Sequence, residues 1–369
     1  MTAEAPMDVQ FRHIEVYRKP GEFAGWPANF GLWSWDDEMV AVFARGKLGP
    51  KGEIHELDHN YPFVPWQARS LDGGLTWTSE SFSGHVPGGL SLSADEHLSS
   101  DLKVRPHLSI DNDLCGLDDP IDFHDAETIV MCARTDVHGD AMSWFYVSRD
   151  RALTWQGPYR FTGLDLPISA RTDIVALGTD DALFLLSTSK HDGAEGRVFC
   201  ARTEDGGRTF VIQGFVDAAP AGYSIMPAST MLSSGTILTL TRCMGTGCDK
   251  GWIEAFASTD RGKTWTSKGS IVDTGSNGNP PGLVSHAGML VLVYGYRDPP
   301  FGIRMRVSPD EGRTWSAETI IRCDGGTADL GYPRVAKTGE GSILAVYYFN
   351  DGNGDERYIA ASVITLTRD

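Results

Sequence analysis

Long apolar runs are missing from these 369 residues. No stretch approaches the roughly 18 residues that a helical membrane span needs, so a membrane partner is not expected. Positive charge is scarce. Lys and Arg total 32 against 49 Asp and Glu, a formal charge of −17. That balance argues against nucleic acid as a partner, and it means that any anionic ligand must be held by local arginines against an unfavourable overall field. Only six cysteines occur, at 115, 132, 200, 243, 248 and 323, with no CxxC pair. A disulfide framework and a structural zinc site are both excluded on spacing, and most of these thiols are expected to be small buried apolar groups. Cys243 and Cys248 alone are near enough in sequence to pair. The amino terminus, Met1-Thr-Ala-Glu-Ala-Pro-Met-Asp8, lacks a basic region ahead of an apolar stretch. It does not read as a signal peptide, so the chain as given is expected in the cytoplasm. There is no low-complexity tract, linker or long charge run.

What is present is a repeat. Ser70-Leu-Asp72-Gly-Gly74-Leu-Thr76-Trp77 returns as Ser148-Arg-Asp150-Arg-Ala-Leu-Thr154-Trp155 and as Thr203-Glu-Asp205-Gly-Gly207-Arg-Thr209-Phe210. It returns again as Ser258-Thr-Asp260-Arg-Gly262-Lys-Thr264-Trp265 and Ser308-Pro-Asp310-Glu-Gly312-Arg-Thr314-Trp315. The Asp-to-Asp steps are 78, 55, 55 and 50 residues. A nearly fixed period means one supersecondary unit repeated, each burying its apolar face on its neighbours. Alternating runs such as Ile253-Glu-Ala-Phe-Ala257 precede the copies, the period of a half-buried strand. Each copy is therefore a turn between strands, with Ser/Thr and Asp capping backbone N–H groups and Gly adopting positive φ.

The eight-residue motif resembles the Asp-box of the sialidase-type β-propellers, and the resemblance extends along most of the chain. It implies an all-β, six-bladed propeller of four-stranded antiparallel blades with Asp-box turns, a single domain over residues 1–369. The ring would be closed by the strands near Phe11–Tyr17 and Tyr358–Leu366. The step of 78 residues contains an acidic stretch from Asp101 to Asp125 without a box, read as a long loop. The five box aspartates are turn caps, not chemistry, because in the resembled family they lie on the rim away from the mouth.

Four segments share a pattern: a Gly/Pro-flanked strand start, then a second strand ending in Arg or an aromatic. They begin at Gly25-Trp26-Pro27, Ile225-Met226-Pro227, Gly278-Asn-Pro-Pro281 and Gly331-Tyr332-Pro333. Arg45, Arg242 and Arg297 close second strands, and Arg171 opens a strand. Guanidinium groups converging on one mouth would bind a carboxylate in bidentate fashion. The opposing reading pairs each with a neighbouring acid, Arg297 with Asp298 and Arg171 with Asp173. Trp26, with Asn29 beside it, would offer a sugar-stacking face at the same mouth. The loop Glu53-Ile-His55-Glu56-Leu-Asp58-His59-Asn60-Tyr61 is dense in titratable groups and supplies acid/base candidates His55, Asp58 and His59. Its spacing matches no metal motif, and no metal or cofactor is expected. His138, on a Gly-bearing loop, is a weaker candidate.

In the resembled family an arginine triad holds the substrate carboxylate, a tyrosine paired with a glutamate is the nucleophile, and a loop aspartate is the acid/base. By position the resemblance implies Arg242 and Arg297 for two of the triad, Tyr332 for the nucleophile and Asp58 for the acid/base. Two departures stand out. Gly25-Trp26-Pro27 replaces the first triad arginine, and Met226 stands where the glutamate belongs. A phenol with an ordinary pKa near ~10 and no carboxylate to take its proton is a poor nucleophile. The leading expectation is an exo-acting glycoside hydrolase working on an acidic glycan terminus, of sialic or uronic type. The alternatives are a lyase acting on a uronate-containing glycan and a carbohydrate-binding propeller without catalysis.

Overall fold

The computed structural model describes residues 7–52, 55–88, 91–190, 192–194, 196–352 and 355–368. It is almost entirely strand. The described helical pieces are the four-residue Ile110–Asp113 and three short 3-10 turns. These lie mainly in the long connection that the sequence marked as lacking a box. The strands sort into six antiparallel groups in chain order. Two of them, over 173–215 and 223–276, touch through a single parallel bridge, Arg197 to Ser224. The first strands of successive groups pack against one another. They surround a cavity of about 310 Å3 bordered by Phe30, Trp33, Phe123, Thr172, Asp173 and Arg334. This is a β-propeller.

The expectation of four strands per blade fails in two groups. In the first, the innermost strand is interrupted at Trp26–Phe30, so Glu22–Gly25 and Gly31–Trp35 both pair with Glu38–Lys47. In the second, only Ile129–Arg134, Ser143–Ser148 and Gln156–Arg160 form a sheet. The innermost place is taken by an irregular run in which Ser93 N–H donates to Arg134 O at 3.1 Å and Arg134 N–H to Ser93 Oγ at 3.3 Å. The chain ends meet as expected. Met7–Tyr17 pairs antiparallel with Tyr358–Arg368, from Met7 opposite Arg368 to Tyr17 opposite Ile359.

The boxes are turn caps in detail. In the fourth, Ser258 Oγ accepts the Gly262 N–H at 2.9 Å, and Asp260 accepts the Thr264 N–H at 2.9 Å and its hydroxyl at 2.6 Å. Trp265 Nε1 donates to Gly262 O at 3.0 Å, folding the indole onto the turn. Gly262 has φ +83, and a Cβ there would meet Cys200 Sγ at 2.4 Å. Glycine is therefore required twice over, by backbone and by space. All six cysteines are free. Cys132, Cys200 and Cys243 are buried, whereas Cys115, Cys248 and Cys323 are exposed. Cys243 is enclosed beside Thr241 and Ser224 and is not joined to Cys248.

Candidate functional site

Three residues mark one end of the propeller by their backbone. Trp26, Met226 and Tyr332 have φ of 60, 54 and 52, and each immediately precedes a proline. Positive φ in a bulky residue costs on the order of 1–3 kcal/mol and persists only where the surroundings enforce it. Here the enforcement is a bulge at the start of the innermost strand, between Ile225 and Ala228 and between Gly331 and Arg334. The bulge turns one side chain per blade out of the sheet.

Tyr332 is the centre. It is 8% exposed, and Arg242 Nη1 donates to its Oη at 2.9 Å. The Arg242 and Arg297 guanidinium carbons lie 5.7 and 5.5 Å from its ring centroid. Met226 Sδ is 3.8 Å from the same Arg242 nitrogen. The position read as lacking its glutamate is therefore beside Tyr332, filled by a thioether. Arg297, 2% exposed, donates to Gly278 O, Leu330 O and Tyr348 Oη, at 3.3, 3.2 and 2.8 Å. It makes no ion pair among the described residues. Asp298, its neighbour in sequence, bonds Lys250 and Ser276 instead.

Behind Tyr332 lies an acid that the sequence reading missed. Asp329 is 2% exposed. Its Oδ1 accepts from Tyr348 Oη at 2.8 Å and sits 2.6 Å from His55 Nδ1, and its Oδ2 accepts from Arg357 Nε at 2.8 Å. Arg357 also pairs with Glu56 at 2.9 Å. Burial pushes the Asp329 carboxyl up, but His55, Arg357 and Arg297 outweigh it and hold it below the usual range. Burial, and then Asp329 itself, raise the Tyr348 phenol far above its ordinary value, so its proton stays on as the donor.

The cluster continues to a second His–carboxylate pair. His97 stacks on Trp26 at 4.4 Å and 15°, and meets His55 edge-on at 5.1 Å. Glu96 Oε1 is 3.7 Å from His97 Nε2 and accepts from Arg134 Nη2 at 2.6 Å. Burial lowers His97 to about 4. Burial would raise Glu96, but Arg134 and His97 hold it down to about 2. In both cases the unfolded chain binds the proton at higher pH than the folded chain does. Stability is therefore expected to fall with pH from the unfolded histidine value near ~6.5 down to 4, then further from the glutamate value near ~4.3 down to 2. Urea titrations across that range check it. His97→Gln should flatten the upper portion, and an unchanged slope there would count against His97.

Several sequence expectations need correction. Arg45 does not join the cluster. Its guanidinium is held by Glu22 at 2.6 and 2.8 Å and lies over Trp66 at 4.4 Å. Register is the reason. Ile225 is opposite Arg242 and Gly331 opposite Tyr348, but Gly25 is opposite Ala44. Arg45 is one residue late, and a one-residue step in a strand points the side chain to the other face. The same register marks Tyr348 as the counterpart of Arg242, a signal that alignment of the strand pairs would have caught. Arg134 ends its second strand likewise. Trp26 is no open sugar platform: it is 1% exposed and its face is covered by His97. Asn29 is buried beside it, and Asn29 Oδ1 and Trp26 Nε1 have no hydrogen-bond partner among the described residues. Arg171 is buried just ahead of the strand Asp173–Ala176. Asp173 faces Arg334 at 3.9 Å and the Ser229 N–H. In the loop at 53–61, Glu53 lies outside the described residues. His55 turns into the cluster. Asp58 caps the Asn60 N–H at 3.0 Å. His59, exposed, meets His97 O through Nδ1 at 2.7 Å and ties the loop down. His138 sits in a turn capped by Asp136. No group of three or more metal-ligating side chains occurs among the described residues, and no described helix is long and apolar enough to cross a membrane.

The model of the BNR repeat-like domain matches residues 120–345. Among curated proteins none matches. Among solved structures, a protein of unknown function from Dyadobacter fermentans is similar at TM-score 0.72 and 22% identity, covering 97% of this chain and 99% of that one. A mutant of the NanB sialidase from Streptococcus pneumoniae is similar at TM-score 0.61 and 11% identity, covering 92% and 69%. The Trypanosoma rangeli sialidase, as its covalent intermediate with difluorosialic acid, is similar at 0.58 and 13%, covering 99% and 59%. At such identities these likenesses establish the fold.

Proposed function

The chain belongs to the BNR repeat-like domain family, and from that premise we propose that it is a glycosidase of the sialidase-like group, acting at the terminus of an acidic glycan on a single propeller domain. The observation that carries the reading is Tyr332 lodged between Arg242 and Arg297. Arg297 is buried, always charged and without an ion pair among the described residues, a state favoured where an anionic ligand completes it. Arg242 donates to the Tyr332 oxygen, a contact that favours negative charge there. Asn29 Oδ1, without a hydrogen-bond partner among the described residues, is an acceptor suited to a sugar hydroxyl.

The test is turnover of aryl glycosides of sialic and glucuronic acid. Arg297→Ala is expected to weaken binding of the acidic sugar by about 1.5–3 kcal/mol, the value of a lost charge-assisted hydrogen bond. That is roughly 10- to 150-fold in Kd. Arg45→Ala should leave Kd unchanged, because Arg45 serves Glu22. Equal losses in the two variants would remove the anion pocket.

A second reading, elimination from a uronate-containing glycan, is favoured by Met226 beside Tyr332 and by a histidine already paired with a buried acid. Arginine would neutralise the uronate carboxylate so that its α-proton becomes acidic. An unsaturated uronate product, seen by its ultraviolet absorbance, would decide for it against hydrolysis.

A further inference from the structure

We propose that the channel cavity is a second ligand site, and that it takes a free α-amino acid with an apolar side chain. The inference is independent of the glycosidase reading. The cavity, of about 310 Å3, lies between the inner strands of the first and third blades, Gly31–Trp35 and Asp173–Ala176. It occupies the place where a regular innermost strand of the second blade would run. The strand Ile129–Arg134 pairs with Ser143–Ser148 on one side. On its other side the Arg134 backbone meets Ser93. Peptide groups alternate sides along an antiparallel strand, so those of Cys132 and Val130 point the same way as those of Arg134, into the cavity that both residues line. They make no hydrogen bond among the described residues. An open strand edge therefore borders an internal space.

The polar groups gather at one end of that space. Arg334 reaches in from the strand Gly331–Lys337, and its Nη2 donates to Ala28 O at 3.0 Å and to Thr172 O at 2.7 Å. Its Nε is buried and has no hydrogen-bond partner among the described residues. Its Nη1 stands 3.9 Å from Asp173 Oδ1, too far for a hydrogen bond. Asp173 Oδ2 accepts the Ser229 N–H. The Arg334 and Asp173 side chains are 17% and 26% exposed. Burial nevertheless pushes the Asp173 carboxyl up and the Arg334 guanidinium down, so that exposed surface faces the channel and not bulk water. Thr172, beside the Cys132 thiol, completes this end. Elsewhere the wall is largely apolar, with Leu32, Trp33, Phe123, Ile129 and Ile174. A sugar ring carries hydroxyls around its rim and would leave most of them against hydrocarbon. The arrangement suits a ligand with a compact polar head and an apolar body. The head must carry both signs. A lone anion would meet Asp173 and a lone cation would meet Arg334, whereas a zwitterion gives each its counter-charge. An α-amino acid holds both charges on one carbon, which matches the 3.9 Å spacing. Its carboxylate accepts from Arg334, and its ammonium donates to Asp173 and to the open carbonyl of Cys132. Its side chain lies against Trp33 and Phe123.

Isothermal titration of the full chain tests this with L-phenylalanine, L-leucine, 3-phenylpropionate, 2-phenylethylamine and galactose. L-Phenylalanine should bind at one site with a Kd of about 1 mM or tighter. Phenylpropionate and phenylethylamine each lack one charge of the head. Each should bind at least about tenfold more weakly, the effect of one lost charge-assisted hydrogen bond. No saturable heat with either amino acid overturns the proposal, and so does saturable binding of galactose alone. Either half-ligand binding as tightly as phenylalanine overturns the zwitterionic head. Asp173→Asn should weaken phenylalanine by about tenfold or more, and an unchanged Kd counts against the assignment. If Asp173→Asn does not fold, Ala176→Phe decides. Ala176 is partly exposed and lines the apolar part of the cavity, so a phenyl group there should fill the space and abolish binding. Unchanged binding in Ala176→Phe would put the ligand elsewhere and end the proposal. None of these results depends on the turnover of a glycoside.

Discussion

Tyr332→Phe is expected to lower turnover of an acidic aryl glycoside by about 10²-fold or more, the scale of a lost nucleophile or proton-transfer group, while Kd for an acidic sugar changes little. The substitution removes one oxygen. It leaves the ring between the two guanidinium groups, with Tyr348 5.9 Å away centroid to centroid. Arg242 loses one acceptor but keeps the Asn277 carbonyl, so the midpoint of urea unfolding should barely move. The contrast with Arg297→Ala gives the prediction its force, for there binding should suffer first. If Tyr332→Phe keeps full turnover on a substrate the wild type cleaves, the tyrosine is a packing residue and the strained backbone beneath it needs another explanation.

The largest stability loss is expected from Asp329→Ala, about 3–5 kcal/mol, the cost of removing one partner from a buried, hydrogen-bonded charge pair. Three donors converge on this carboxylate, and among the described residues Arg357, 3% exposed, would keep Glu56 and the Asp355 carbonyl. Tyr348 would lose the acceptor for a hydroxyl that is enclosed. Urea unfolding measures the loss as a lower midpoint at unchanged slope. The exposed pair Lys51–Asp355, 2.6 Å apart, is the comparison. Lys51→Ala should leave the midpoint where it is, since exposed pairs contribute little. A small effect of Asp329→Ala would mean that the cluster opens to water in solution and that its electrostatics are weaker than its burial implies.

The sequence by itself determined the β-propeller, because the box is a local device. Ser or Thr, Asp, Gly and Trp within eight residues close their own hydrogen bonds, as Ser258, Asp260, Thr264 and Trp265 do, and the period between copies measures the unit that repeats. Tyr332, Arg242, Arg297 and the gap at Met226 were legible for a related reason. Each sits at a fixed offset from a proline or a strand end, so comparing one blade with the next finds it. Tertiary structure alone decided the rest. Whether an arginine faces the mouth depends on the parity of a strand register, which put Arg242 inside and Arg45, one residue late, against Glu22. Asp329, His55, His97, Glu96 and Arg134 come from segments up to 274 residues apart, and no local period links them. Their carboxylates, rings and guanidinium groups become one electrostatic unit only when burial strips them of water and sets them against one another.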